Sequence, residues 1–391
     1  MLRYIYLKET LYLDKVDALQ NISDLGETMP LRQVVPQVLK LIVPLTLAIV
    51  FFICFVMFII RIDIERTLFI FASSEKRYFL IAIGFDIGFM VFYALAWYCL
   101  VRIISNEVKL HEAILVMMIS WFGDMLIPAA FITGEAIRLA FLKRRYGIDL
   151  SKAAATVVVH RLLSTVAFVL FIFLGAAYLI VNGYKIIADV LLHAILFALL
   201  AVSLAILCSI VIFRIEVFES FSVKLFDKII KLLKRRHLEK YRQHIEESLE
   251  SFRLSMDMIK KKRLNVVLSF VNLIIQWICG IMIPYTFFRS VRYSVSFWLL
   301  AMAYPMYGVI DNIPFGVPAN AGFLDAAMVS TFVLLGIDKE IATVVTWLTR
   351  MIIVVFEFIL TGSITVIFGP KLFNISLSKL KELLRGREKL F

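Results

Sequence analysis

Two arginines, Arg161 and Arg350, stand deep inside apolar stretches of the sequence. Arg161 follows Lys152 by nine residues and Arg350 sits similarly after Glu340. At about 1.5 Å of helical rise per residue, each falls near the middle of a bilayer. An arginine at that depth costs about 2.5–3.5 kcal/mol on insertion scales, so it requires a carboxylate, a cluster of carbonyls or an anionic ligand. A planar guanidinium suits phosphate, which it grips with paired hydrogen bonds. The ordinary structural alternative is an internal salt bridge with Asp86, Asp124, Glu135, Asp325 or Glu357. The two readings coexist if a resting pair opens to admit an anion.

Other polar residues gather at two breaks in the apolar pattern. The first break holds Trp121, Asp124, Pro128, Gly134, Glu135 and Arg138; the second runs from Asp311 through Pro314, Gly316, Pro318 and Asn320 to Gly322 and Asp325. Backbone groups released by proline and glycine at membrane depth must be satisfied by protein or water, so both breaks are expected to line a cavity. Glu135 and Arg138 stand three apart and share a helix face, which by itself gives a local ion pair. A helix starting near Asn320 would point free N–H groups at the cavity and favour anions. His160, next to Arg161, is a proton relay or, more ordinarily, a hydrogen-bonded packing residue. The candidate substrate-binding set is therefore Arg161, Arg350, Glu135, Arg138, Asp325, Asn320, His160 and Asp124. No catalytic residue, metal ligand set or cofactor motif is expected, since no His-Glu-x-x-His, Gly-x-x-x-x-Gly-Lys or Gly-x-Ser-x-Gly occurs.

The elements that carry these residues follow from composition. The 391 residues are 61% hydrophobic and 18% charged, with mean hydropathy +0.90, more apolar surface than one water-soluble core can hide. Cys54, Cys99, Cys208 and Cys279 all lie in apolar runs without Cys-x-x-Cys spacing and are read as reduced. The fold class expected is an all-α polytopic membrane protein. Six runs are long enough to span a core of about 30 Å: 41–60, 78–101, 153–180, 186–213, 264–288 and 340–369. Regions 111–142 and 294–336 read as two broken or re-entrant helical hairpins. The basic loop 214–263 and the basic tail 370–391 belong on the cytoplasmic side, which places both termini there in a cell membrane. The opposite face is poor in basic residues except between Arg61 and Arg77. The net charge of +12 then matches an anionic membrane surface rather than nucleic acid. The organisation expected is a surface segment 1–34, a first membrane repeat with linking span 35–213, amphipathic helices 214–263, a second repeat 264–369 and the tail. The amphipathic helices either lie on anionic lipid or cover the end of the bundle.

Gly147-Ile148-Asp149, Ala153 and Arg161 recur as Gly336-Ile337-Asp338, Ala342 and Arg350 at one constant offset. Gly-x-Asp can simply end one helix and cap the next. The accompanying arginines, and the broken hairpin before each copy, point instead to a duplicated unit. The elements between the copies reverse direction, so the expected arrangement is an inverted-topology repeat, a recurrent transporter design with its site near the midplane.

At these residues the chain resembles the flippase-like membrane family that includes the transmembrane region of lysylphosphatidylglycerol synthases. The family's first hairpin, with Thr-Pro, a Gly-rich stretch, Gly-Gly-Glu-Pro and a following Arg, matches Pro128, Gly134, Glu135 and Arg138. Its Pro-Gly-Gly-x-Gly-x-x-Glu is similar to Pro318 through Asp325, and its last-span arginine matches Arg350. Ala130, Phe131, Ala319, Asn320, Asp325 and His160 depart from the family pattern. The resemblance implies a stand-alone member without the synthase domain, and transport of a lipid rather than synthesis. The partner expected is an anionic phospholipid or a polyprenyl-phosphate lipid in the membrane, and oligomerisation is left open. Two further readings stay open: an integral glycosyl or lipid transferase, which would show covalent turnover, and a membrane scaffold, which would depend on its surface helices.

Overall fold

The computed structural model describes residues 50–127, 132–182, 240–311 and 317–373, with the single positions 46, 199 and 203. All regular structure among the described residues is helical. In chain order the helices are α1 (Val50–Ile60), α2 (Ile64–Ser73), α3 (Arg77–Ile104), α4 (Leu110–Leu126), α5 (Ile132–Tyr146), α6 (Leu150–Val181), α7 (Lys240–Lys261), α8 (Arg263–Ser290), α9 (Phe297–Asp311), α10 (Phe323–Leu334) and α11 (Lys339–Leu372). The last turns of α1, Phe55–Ile60, and the middle of α11, Met351–Phe356, are π-helical.

Four of these helices, α3, α6, α8 and α11, have 28, 32, 28 and 34 residues and are apolar enough to cross a membrane. They coincide with four of the six expected spans. The run 41–60 is described as the short apolar helix α1. The run 186–213 lies outside the described residues apart from Leu199 and Ser203, as do the segment 1–34 and most of the tail. Leu80, Ile359 and Val366 are exposed on the long helices, the arrangement expected when the solvent is lipid.

Close helix contacts hold the bundle. Helices α3 and α8 run antiparallel: Phe79 packs edge-on against Phe287, Gly88 lies against Cys279, and the Asn265 side chain donates to the Cys99 carbonyl at 3.0 Å. At the α6–α9 crossing, Gly175 lies so near the partner backbone that a Cβ would sit 2.6 Å from the Trp298 carbonyl oxygen. Small residues at such crossings allow the close approach on which helix association in lipid relies.

The first broken region is an antiparallel pair of short helices. Glu112 at the start of α4 accepts from Arg145 at 3.0 Å and from the Tyr146 hydroxyl, at the end of α5. At 17 residues, α4 extends only about 25 Å, short of a bilayer core.

Both Gly-x-Asp sequences do the ordinary local work. Gly147 and Gly336 have φ of 65° and 84°, a conformation glycine adopts without penalty, and each follows a helix end. Asp149 then accepts from the Ser151 amide, and Asp338 from the Glu340 and Ile341 amides, capping α6 and α11.

Helix α7 covers the bundle end. Its Met256 and Ile259 are buried with Leu100, Ala155 and Val159, so this amphipathic face is spent on protein packing. Within the basic stretch between Arg61 and Arg77, Arg66 pairs with Asp338 at 2.9 Å and Glu340 at 3.5 Å, and Arg77 with Glu75 at 2.6 Å.

Gly175→Ala is expected to lower thermal stability by about 1–3 kcal/mol through overpacking. Gly84→Ala, which would meet no atom within 4 Å, should leave it unchanged or slightly raised. Thermal unfolding of the detergent-purified protein measures both.

Candidate anion-binding site

The first cluster is built by α4, α5 and α6. Helix α5 starts under tight constraint: the Gly134 amide donates to Asp124 Oδ1 at 2.7 Å, and a Cβ at Gly134 would collide with the Asp124 carboxylate and lie 2.8 Å from the Ser120 carbonyl. Glycine is thus required there, and Asp124 satisfies an otherwise unpaired amide at a helix start. This anchoring sets Glu135 opposite α6. Glu135 Oε1 accepts from Arg161 Nε at 2.5 Å and lies 3.9 Å from the Arg138 guanidinium.

Arg138 sits deeper than a local ion pair requires. It is 2% exposed, its guanidinium stands 5.6 Å over the Trp97 ring, and Nη1 lies 3.5 Å from His160 Nδ1. His160 is fully buried, and its ring centroid lies 4.4 Å from that of Tyr93. Arg138 Nε and His160 Nε2 meet no hydrogen-bond partner among the described residues. The cation is held by an aromatic face and by one shared carboxylate, so its capacity to donate is incompletely used.

The second cluster joins α11 to the turn before α10. Arg350 Nε donates to Asp325 Oδ1 at 3.1 Å and Nη2 to the Ala319 carbonyl at 2.7 Å. The other Asp325 oxygen accepts from the Gly322 amide at 2.8 Å. Helix α10 begins at Phe323, three residues beyond Asn320, and its first-turn carboxylate already occupies the amide at its own entrance. Asn320 is buried in the turn. Ala319 and Asn320 adopt φ of 50° and 46°. These are two of the positions where the family pattern has glycine, and the left-handed backbone explains the preference.

Helix α4 connects the clusters. It carries Asp124, packs against the Pro318–Asn320 turn, and lays Phe122 on Phe358 and Gly362 of α11. The eight candidate residues therefore fall into two clusters flanking one helix, each arginine gripping a carboxylate of its own hairpin. The clusters differ in openness: the Arg161 and Glu135 side chains are 33% and 28% exposed, those of Arg350 and Asp325 10% and 13%. Pro128 and Pro314, at the centres of the two breaks, lie outside the described residues.

Sequence reasoning overlooked Tyr93 and Trp97, which stand four apart on one face of α3. Their spacing was visible, but in so aromatic a chain it carried no distinguishing signal. The Ala319 carbonyl left no trace in residue type at all.

Residues 41–361 match the family described as the lysylphosphatidylglycerol synthase TM region. The chain belongs to that family. It is similar to a UPF0104 membrane protein of Methanocaldococcus jannaschii, 24% identical over 294 residues, covering 74% of this chain and 84% of the relative. A UPF0104 membrane protein of Pyrococcus horikoshii is 25% identical over 304 residues, with 74% and 86% covered. The family and the four apolar helices together make this a multi-pass membrane protein.

Removing one partner of a buried ion pair typically costs about 3–5 kcal/mol. Asp325→Ala is expected to fall in that range and Glu135→Ala below it, since the first pair is more open. Ala319→Gly should raise stability by about 1 kcal/mol by relieving the left-handed backbone. Thermal midpoints of the three variants, compared in one detergent, check the order.

Proposed function

We propose that this protein moves an anionic lipid across the bilayer, with the headgroup phosphate received by Arg161 and Arg138 at one hairpin and by Arg350 at the other. The observation that carries this reading is that each apolar-span arginine is paired with a carboxylate beside a break in the helical pattern. A carboxylate is an exchangeable partner for an arginine. Phosphate offers more acceptor oxygens than Glu135 and can bridge two guanidiniums, so exchange is favourable where substrate can reach. The more open first cluster is the entry point, and the closed second one receives the headgroup later. Acyl or prenyl chains stay in the bilayer throughout, so only the headgroup needs a polar path.

In this reading the two hairpins are re-entrant and belong to inverted repeats, and rocking of one repeat against the other gives alternating access. The substrate class is an anionic phospholipid or a polyprenyl phosphate, and both termini face the cytoplasm.

The full chain in liposomes containing fluorescent phosphatidylglycerol should accelerate the label's loss to an external quencher. Arg161→Ala and Arg350→Ala are each expected to reduce that rate at least tenfold, equivalent to about 1.4 kcal/mol of barrier. Arg161→Lys, which keeps charge but loses the planar fork, should fall between. Wild-type rates in folded Arg161→Ala and Arg350→Ala proteins would exclude this mechanism.

A further inference from the structure

The end of the bundle opposite α7 carries a basic cluster that neither arginine site uses. There the start of α3 meets the end of α8: the Glu75 amide donates to the Ser290 carbonyl at 3.1 Å, and Arg292 pairs with Glu75 at 3.3 Å. The end of α6 meets the start of α9 where Tyr178 stacks on Trp298 at 5.8 Å. Tyr78 opens α3 and Tyr293 follows α8 at this same end. Tyrosine and tryptophan gathered at the ends of membrane-crossing helices mark the level of the lipid headgroups.

Charge at that level is unbalanced. Stretches 74–79 and 289–293 hold Lys76, Arg77, Arg289 and Arg292 against one acidic residue, Glu75. Arg77 and Arg292 both grip that one carboxylate, and both are exposed. The Lys76 and Arg289 side chains enter no ion pair among the described residues. Exposed pairs of this kind contribute little stability and give way readily to another anion.

An apolar cavity adjoins the cluster. It has a volume of about 420 Å³ and is lined by Phe71, Ala72, Ser74, Lys76 and Phe79. The Ser74 hydroxyl already donates to the Phe71 carbonyl at 2.8 Å, which leaves the Lys76 ammonium as the unengaged polar group of the lining. Helix α2, which forms one wall, buries Thr67 and packs Ile70 and Phe71 against the core, yet exposes Ile64, Leu68 and Phe69. Apolar side chains displayed on a short helix at headgroup level are covered by lipid.

We propose that this cavity binds an anionic phospholipid of the adjacent leaflet, with Lys76 and the neighbouring Arg77 taking the headgroup phosphate and an acyl chain lying against Phe71 and Phe79. A basic rim beside an apolar cleft complements a molecule that joins a phosphate to a hydrocarbon chain, and the surrounding bilayer supplies it. The bound lipid holds α2 onto the bundle. Helix α2 in turn grips the start of α11 through Arg66, Asp338 and Glu340. This site is separate from the two arginine clusters and does not depend on the transport reading.

The full chain is reconstituted in liposomes carrying a trace of phosphatidylglycerol with a photoactivatable group in its acyl chain. After illumination, labelled peptides are identified by mass spectrometry. Label is expected on residues 71–79, several-fold above that from a phosphatidylcholine probe with the same chain. Lys76→Glu should remove that several-fold preference, and Ala72→Trp, which fills the cavity, should remove label from both probes. Both positions are exposed, and a glutamate just before a helix is not destabilising, so both variants should fold. Equal labelling by the two headgroups in the wild type, or label unchanged in both variants, overturns the proposal. Label displaced by excess soluble glycerol phosphate overturns it in favour of a water-borne anion.

Discussion

A guanidinium cannot be left alone in a medium without water. That constraint organises the polar interior of this protein: Arg161, Arg138 and Arg350 each stand among apolar helices, and each has drawn carboxylate, carbonyl or aromatic partners around itself. The partners of Arg161 and Arg350 come from other elements, so satisfying those charges also fixes how α5 meets α6 and how α11 meets the turn before α10. A buried ion pair contributes little net stability once desolvation is counted. Two such pairs are present, Arg161 with Glu135 and Arg350 with Asp325.

The breaks themselves obey the same logic. Interrupting a helix at membrane depth frees amides and carbonyls that lipid cannot satisfy. Asp124 takes the Gly134 amide, Asp325 takes the Gly322 amide, and Arg350 takes the Ala319 carbonyl. Backbone and side chain complete each other, and the same carboxylate that caps α10 also holds an arginine. Any anion entering such a cluster would compete with groups that are already structural, which couples ligand exchange to movement of the hairpin.

Apolar packing supplies the frame against which those hairpins are set. Small residues bring α3 against α8 and α6 against α9, and α7 closes one end by burying Met256 and Ile259. The exposed apolar faces of the long helices need no protein partner, because lipid serves as their solvent. Helix α4 is the element common to both polar clusters: it carries Asp124 beside one arginine and packs on the turn that holds the other.

Some of this was legible in the residues alone. Uninterrupted apolar runs identify α3, α6, α8 and α11 because crossing a bilayer imposes length and composition regardless of tertiary context. The Gly-x-Asp repeats, the mid-span arginines and the glycine under Asp124 are local requirements, so they too show in sequence. Tertiary structure decided which carboxylate each arginine holds, since five acidic residues were eligible and only the packing of helices distant in sequence selects Glu135 and Asp325. It also placed Trp97 beneath Arg138 and turned the buried face of α7 onto the bundle. Hydrophobic periodicity reports that a helix face is buried without reporting what buries it, and a charge reports that it needs a partner without naming one. Both answers depend on where the other helices lie.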